Sequence, residues 1–399
     1  MISRRILLAA GAVLPFRALA KAQELWLSQA LPEGVREAAT LEALAGKKPL
    51  IKLSHRPPNY ETPIEYFRNA ITPNEAFFVR YHLSGIPSVD PKTWELSIAG
   101  DGAESEVAIS LEELKRMTSA EIVAVNQCSG NRRGLFQPHV AGVQWGYGAM
   151  GCARWRGVRL KDLLDKVGVK KETTEVSFAG ADRPAVDKTP AFVKSIPLEK
   201  ALEDSVLVAY EMNGEPLPAL NGFPARIIVP GWTATYWMKH LVAIKLLTSP
   251  EQSFWMRTAY RLPKGKFPTT SSFASQETES NIPITDIMVN SLIAYPVDGA
   301  EIHGGVAIEG VAWDGGTGIK AVDISLDDGA TWHAAQLGED LGRFAFRAFS
   351  FQVPSDATGK IAVTARATNN AGETQGRDLI QNPGGYHHNA MQTVTLNVI

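Results

Sequence analysis

Short alternating runs of apolar and polar residues dominate the chain and read mostly as strands separated by turns. In the first two thirds these runs are "FFVRYHL" (Phe77–Leu83), "TWELSIAG" (Thr93–Gly100), "EIVAVNQC" (Glu121–Cys128), "TEVSFAGAD" (Thr174–Asp182), "SVLVAYEMNG" (Ser205–Gly214), "ARIIVPG" (Ala225–Gly231) and "HLVAIKLLT" (His240–Thr248). Two stretches read as helix. "SLEELKRM" opens on Ser110 and carries Glu113, the spacing of a capping box. "RLKDLLDKVGV" (Arg159–Val169) repeats its leucines with a helical period. "SHRPPNYETPIEYF" (Ser54–Phe67) is proline-rich and predicts irregular chain, and residues 23–50 read as an extended or partly helical lead-in.

From Ile282 the strands become shorter and evenly spaced: "VAIEGVAWD", "IKAVDISLDDGATWHAAQL", "FRAFSFQVP", "KIAVTARATNN" and "MQTVTLNVI". This spacing predicts an immunoglobulin-like β-sandwich of about 110 residues, with Asp328-Gly329 as the turn pair of a hairpin. The polar, aperiodic "TTSSFASQETES" (Thr269–Ser280) marks the boundary before it. The expected fold class is α+β, with a main unit and its lead-in over 23–281 and the sandwich over 282–399.

Composition narrows the classes. The 399 residues are 45% hydrophobic and 21% charged, an ordinary globular balance that fits two or three domains. The net charge of -2 and the lack of a basic block argue against nucleic acid. No apolar run reaches the ~18–20 residues of a membrane span. Residues 1–22, "MISRRILLAAGAVLPFRALAKA", have the form of an export leader. Arg4-Arg5 stand at the twin-arginine position, and the small residues Ala18, Ala20 and Ala22 lead to cleavage after Ala20 or Ala22. That predicts a folded protein delivered to the periplasm by the twin-arginine export machinery.

The chemistry concentrates around one of only two cysteines, in "VNQCSGNRRG" (Val125–Gly134). A thiol at a strand end beside Arg132 and Arg133 ionises easily, and it can be a nucleophile, a metal ligand or an inert buried thiol. No CxxC, CxxCH or HExxH occurs, so zinc, covalent c-type haem and zincin sites are unsupported. Arg80 and Arg133 fall in or just after strand-like sequence, where each is either an oxyanion fork or half of a buried ion pair. Cys152, following "GAMG", reads as a buried structural thiol.

The motifs "FFVRYH", "NQCSGNRRG", "WGYGAMGCARWRGVRLKDLL", "FAGAD", "SIPLEKAL", "LVAYEMNGEPLPALNGFPARIIVPG" and "YWMKHL" follow one another in this order. Together they resemble the sulfite oxidase family of molybdenum enzymes, over about Tyr66–Thr270 for the cofactor domain. "SLDDGATW" and "NPGGYHHNAMQTVTLNV" resemble that family's dimerisation domain. The resemblance implies a sulfite-oxidase-type mixed α/β molybdopterin domain followed by the immunoglobulin-like module. It implies one molybdopterin-bound molybdenum per chain, with Cys128 as the metal ligand. Arg80 and Arg133 match the substrate arginines, and Tyr260 matches the tyrosine that hydrogen-bonds beside the metal. His82, Asp182, Ser195, Arg226 and Lys239 match positions holding the pterin and its phosphate. The chain departs from the family at Asn221, where a histidine is usual, and over Trp232–Tyr236, so Asn221 enters as a changed cofactor contact. Trp232 and Tyr236 line the substrate channel or pack in the core.

The implied reaction is oxidation of sulfite to sulfate, with electrons leaving singly to an external periplasmic c-type cytochrome. A homodimer is implied through the sandwich. Nitrate or methionine-sulfoxide reduction on the same scaffold is the rival reading. A cofactor-free scaffold or adhesion protein built on the C-terminal module is the rival from another class.

Overall fold

The structure, a computed structural model, describes residues 40–263 and 281–399. The leader 1–22, the lead-in up to residue 39 and the boundary segment Thr269–Ser280 lie outside the described residues. The described chain is mostly β. Its helices are few and short, the longest being the 8 residues Leu160–Val167, so the helical share is smaller than an α+β expectation suggests. The capping box is present, with Ser110 Oγ accepting from Glu113 N and the Glu113 carboxylate accepting from Ser110 N.

Three larger sheets build the first unit, with a two-stranded ribbon of Arg261–Pro263 and Asn281–Pro283 at its end. One orders the strands Val193–Pro197, Glu175–Gly180, Leu241–Leu247, Glu95–Ala99 and Val107–Ser110, with a single parallel pair between Leu241–Leu247 and Glu95–Ala99. A second runs from Glu215–Pro216 through Leu207–Met212 and Met150–Arg159 to Ser119–Gln127, with Arg226–Ile228 paired to Leu207–Met212. The third corrects the expectation for the early segments. Thr40–Ala43, Pro49–Ser54, Asn59–Glu61 and Val79–Arg80 form a four-stranded antiparallel sheet. Prolines there sit at strand edges and turns, while buried Leu50, Tyr60 and Val79 give the sheet its own apolar face.

The C-terminal unit has two sheets. One orders Asn290–Tyr295, Ala307–Trp313, Arg347–Gln352 and Gln336–Leu337; the other orders Glu301–Ile302, Gln392–Val398, Gly359–Asn369, Ile319–Ser325 and His333–Ala334. Inward residues of both sheets, among them Ile308, Phe349, Ile324, Val363 and Leu396, share one core. Asp328 and Gly329 both take positive φ, 57° and 88°, in the connection between Ile319–Ser325 and His333–Ala334, as an Asp-Gly turn requires.

The units are welded. Val123, Val125, Met150 and Cys152 of the first pack with Leu292, Val311, Trp313 and Phe346 of the second. Across this seam Val125 N donates to Phe344 O (2.9 Å) and Trp313 Nε1 to Gln127 Oε1 (2.6 Å). Among the described residues no helix is long and apolar enough to cross a membrane.

Candidate active site

The site starts where the strand Ser119–Gln127 runs out. Gln127 is its last residue paired to Met150. Beyond it the chain turns sharply: Cys128 N donates to Ala149 O (2.8 Å) and Asn131 N to Cys128 O (2.9 Å). Arg132 takes the left-handed φ of 67° that completes the turn. Adjacent arginines consequently part company. Arg132, fully buried, donates to Asn290 Oδ1 and Ser291 O (2.7 Å each) in the seam. Arg133 turns instead to the loop at Gly384 and Tyr386, beside the cavity on which Cys128 opens but not in its wall.

That cavity holds about 660 Å³ of open space, and Arg80, His82, Cys128, Asp182, Asn221, Arg226, Lys239 and Tyr260 are in its wall. Eight positions singled out in the sequence, spread over 181 residues of chain from Arg80 to Tyr260, thus meet around one thiol. Three of the eight are cations and one is a carboxylate. Among the described residues, no carboxylate comes within ion-pair distance of Arg80, Arg133, Arg226 or Lys239. Arg226 instead donates to Asn221 O (2.9 Å) and Trp237 O (3.0 Å), and Lys239 to Leu220 O (3.2 Å). Burial pushes Arg226 down to about 9, and it holds Lys239 well below the usual lysine range, with Arg226 adding to the effect. Asp182 is raised by burial, with Lys239 pulling the other way. Buried cations lacking carboxylates are costly unless an anion joins them.

Beside the thiol stands a directional chain. The Tyr260 hydroxyl meets His82 Nε2, and Arg80, which donates to Tyr81 O, stands beside both in the cavity wall. Burial first, then Arg80, drives the His82 pKa well down, so its ring is neutral. A neutral ring offers Nε2 as an acceptor, and the Tyr260 O–H donates to it. Burial raises the Tyr260 pKa, so the phenol keeps its proton. Phe192 lies flat on His82, with centroids 3.7 Å apart. Tyr260 itself has φ 60°, a conformation that a bulky residue holds only when its surroundings fix it.

The C-terminal unit supplies part of that fixation. Gly384 O accepts from Arg133 Nε (3.2 Å) and Nη2 (3.0 Å), and the Tyr386 ring lies 5.0 Å from the same guanidinium. Asn382 ties the loop shut through Tyr386 N (3.0 Å) and Tyr386 O (2.8 Å). Gly385 has φ 59°, and a Cβ there would come within 2.9 Å of the Arg133 side chain. Arg133 is therefore beside the cavity, held by one edge, with Nη1 at 3.5 Å from Val143 O.

The structure does not bring Ser195 to the cavity. It is buried elsewhere in its sheet, where Ser195 Oγ donates to Glu175 Oε2 (2.6 Å) and Ser195 N approaches Met256 Sδ (3.4 Å). Asn221 lines the wall, but both of its side-chain atoms are engaged, by Lys47 Nζ and by Phe78 O. Trp232 and Tyr236 pack on each other at 4.8 Å, Tyr236 OH donates to Ile284 O (2.8 Å), and the wall is made by Ala234, Thr235, Trp237 and Met238 instead. Cys152 is buried, with its thiol pushed up to about 12 by burial.

Lys47, Lys194 and Tyr386 escaped the sequence reading. Lys194 is wholly buried, lowered to about 7 by burial, and lies 5.4 Å from the Tyr260 ring. Its one signal was a lysine at an inward position of "FVKSIPL". For Tyr386 the signal was a Gly-Gly-Tyr run in a loop.

These residues can hold an extended anionic group, with a metal bound through one thiolate and further donors brought by the group itself. Arg226 Nε is buried without a partner, as it would be if a ligand completed it.

Comparison with known proteins follows the same division. The "Oxidoreductase molybdopterin binding domain" family matches residues 82–255, and the "Mo-co oxidoreductase dimerisation domain" family matches 281–399. Mitochondrial sulfite oxidase of Macaca fascicularis is 38% identical over 79% of this chain, which spans 59% of that protein. Sulfite oxidase of Arabidopsis thaliana is 30% identical over 86% of this chain and 92% of its own length. Among solved structures, the sulfane dehydrogenase SoxCD from Paracoccus pantotrophus superposes with a TM-score of 0.73 at 25% identity, covering 92% of both chains.

Proposed function

Because this chain belongs to the sulfite oxidase family of molybdenum enzymes, we propose that it oxidises sulfite to sulfate on a molybdopterin-bound molybdenum held by Cys128. The observation that carries this reading is the set of cations without carboxylate partners gathered around a single open thiol and a protonated tyrosine. Cys128 is the soft protein donor to the metal. Arg226 and Lys239 hold the phosphate of the pterin, and Asp182 and His82 its polar edges. When bound, this group supplies two-electron oxygen-atom transfer: sulfite and water give sulfate, two protons and two electrons.

The chain's own residues bind and orient. Arg80 in the cavity wall, with the charge of Arg133 close behind it, neutralises a dianion, which fixes its direction of approach. Tyr260 keeps its proton, and its hydrogen bond to His82 Nε2 fixes the hydroxyl oxygen at the cavity wall. Phe192 and Phe78 thin the water around it. Because the ring of His82 is neutral, the site adds no further cation that would grip the product.

Electrons leave singly to an external c-type cytochrome. Residues 1–22 act as a twin-arginine leader to the periplasm, and the immunoglobulin-like sandwich of 282–399 pairs two copies into a homodimer. A second reading, turnover of sulfane sulfur, is suggested by the match to a sulfane dehydrogenase. The unpaired cations favour an oxyanion.

Protein matured in cells that make the cofactor is expected to contain about one molybdenum and one pterin per chain. It should reduce cytochrome c with sulfite, faster than with thiosulfate or nitrate, and sulfite should produce a molybdenum paramagnetic signal. Cys128→Ser is expected to abolish turnover while keeping the wild-type circular dichroism. Absence of molybdenum from correctly matured protein, or near-wild-type turnover of Cys128→Ser, overturns the assignment.

A further inference from the structure

Two neutral side chains in the cavity wall have no partner. The Asn126 side-chain nitrogen and Thr235 Oγ1 are both buried without a hydrogen bond, and both residues line the same cavity as Cys128. Asn126 is 2% exposed and Thr235 4%. An orphaned buried donor costs about 1–3 kcal/mol, and nearly all such groups in folded proteins are satisfied. Position makes the pair informative. Asn126 stands two residues before Cys128 on the run leaving the strand Ser119–Gln127, so both project to one side of it. Thr235 comes from the opposite wall, in the short turn Ala234–Tyr236. Neighbouring polar groups with structural roles are satisfied: Ser129 Oγ donates to Thr233 Oγ1 (3.0 Å), and Thr233 N to Thr285 O (2.8 Å). Asn131 Nδ2 is also buried without a partner but is not in the cavity wall, so Asn126 and Thr235 are set apart as neutral groups at the cavity awaiting a ligand.

We propose that Asn126 and Thr235 are ligand-binding residues, donating hydrogen bonds to acceptor atoms of the group held at Cys128. The inference rests on the molybdopterin reading above and deepens it: recognition at the thiol end uses neutral donors, while the cations Arg226 and Lys239 serve the phosphate. Neutral donors next to a thiolate ligand add direction without adding charge that would bind sulfate after turnover.

The test exploits opposite signs in two states of the protein. Asn126→Leu and Thr235→Val keep shape and remove the orphan. In protein produced without the cofactor, each is expected to raise the melting temperature by about 2 °C. In loaded protein, each is expected to shorten the half-life for loss of pterin and molybdenum on dialysis roughly 5-fold. A purely structural role moves both measurements in the same direction. Wild-type retention together with unchanged melting in both variants overturns the inference and leaves the family assignment standing. A wild-type protein that takes up no pterin overturns the assignment first, and the inference with it.

Discussion

Tyr386 of the C-terminal unit lies stacked on Tyr260 of the first, with ring centroids 5.6 Å apart and planes 26° apart. The same ring flanks Arg133, so one side chain from the sandwich steadies two groups of the site. Burial raises the Tyr386 pKa, with Tyr260 contributing next, and the ring stays neutral. Tyr386→Leu is expected to raise the KM for sulfite roughly 3–10-fold with kcat within about 2-fold, since an aromatic pair is worth about 0.5–1.5 kcal/mol. Tyr386→Phe retains the ring and is expected to match wild type. A drop in kcat alone for Tyr386→Leu would contradict a positioning role.

Arg80 combines a hydrogen bond to Tyr81 O with a place in the cavity wall. Arg80→Gln removes the charge and is expected to raise the KM for sulfite roughly 10–100-fold, the range of a lost charge-assisted hydrogen bond. Steady-state kinetics with cytochrome c read this directly, and an unchanged KM removes Arg80 from substrate binding.

Arg132 and Arg133 form a matched contrast. Arg132 anchors the seam through Asn290 and Ser291, and burial lowers its pKa to about 10. Arg132→Met is expected to lower unfolding stability by about 2–4 kcal/mol, through the buried acceptors it strands. Arg133→Gln strands the buried Gly384 O and is expected to lower stability by about 1–2 kcal/mol, less than Arg132→Met, and to raise KM. Urea melts of the two variants check the split.

Glu61 provides a stability signature. It is buried, accepts from Gly146 N (2.8 Å), and burial raises its pKa from 4.5 to about 8. A raised carboxyl binds more protons in the folded state than in the unfolded one between those values. Its contribution is therefore intact below about 4.5, declines as pH rises, and is lost above about 8. Glu61→Gln is expected to flatten this part of the stability profile and to raise melting at pH 8 or above. Melting curves at several pH values test it, and an unchanged slope rules out Glu61 as the source.

Much of this was readable in the chain because the informative signals are local. The capping box at Ser110, the strand that delivers Cys128 and the regular C-terminal strands all depend on patterns a few residues long. The misses are non-local. Ser195 looks suited to a phosphate, yet sheet register turns it to Glu175. Residues up to 50 read as an extended or partly helical lead-in and 54–67 as irregular, because short strands broken by prolines show little alternation and only their pairing with one another and with Val79–Arg80 makes a sheet. Asn221 is met by Lys47 from 174 positions away, and Tyr386 reaches Tyr260 through the packing of two units. No window of sequence contains such contacts.

The carbonyl of Gly384 grips Arg133 across 251 positions of chain. During synthesis that grip cannot form until residue 384 has left the ribosome, so Arg133 waits for the C-terminal unit before it takes its final place. Nicking the loop near residue 384 would disarm the enzyme without touching a metal ligand.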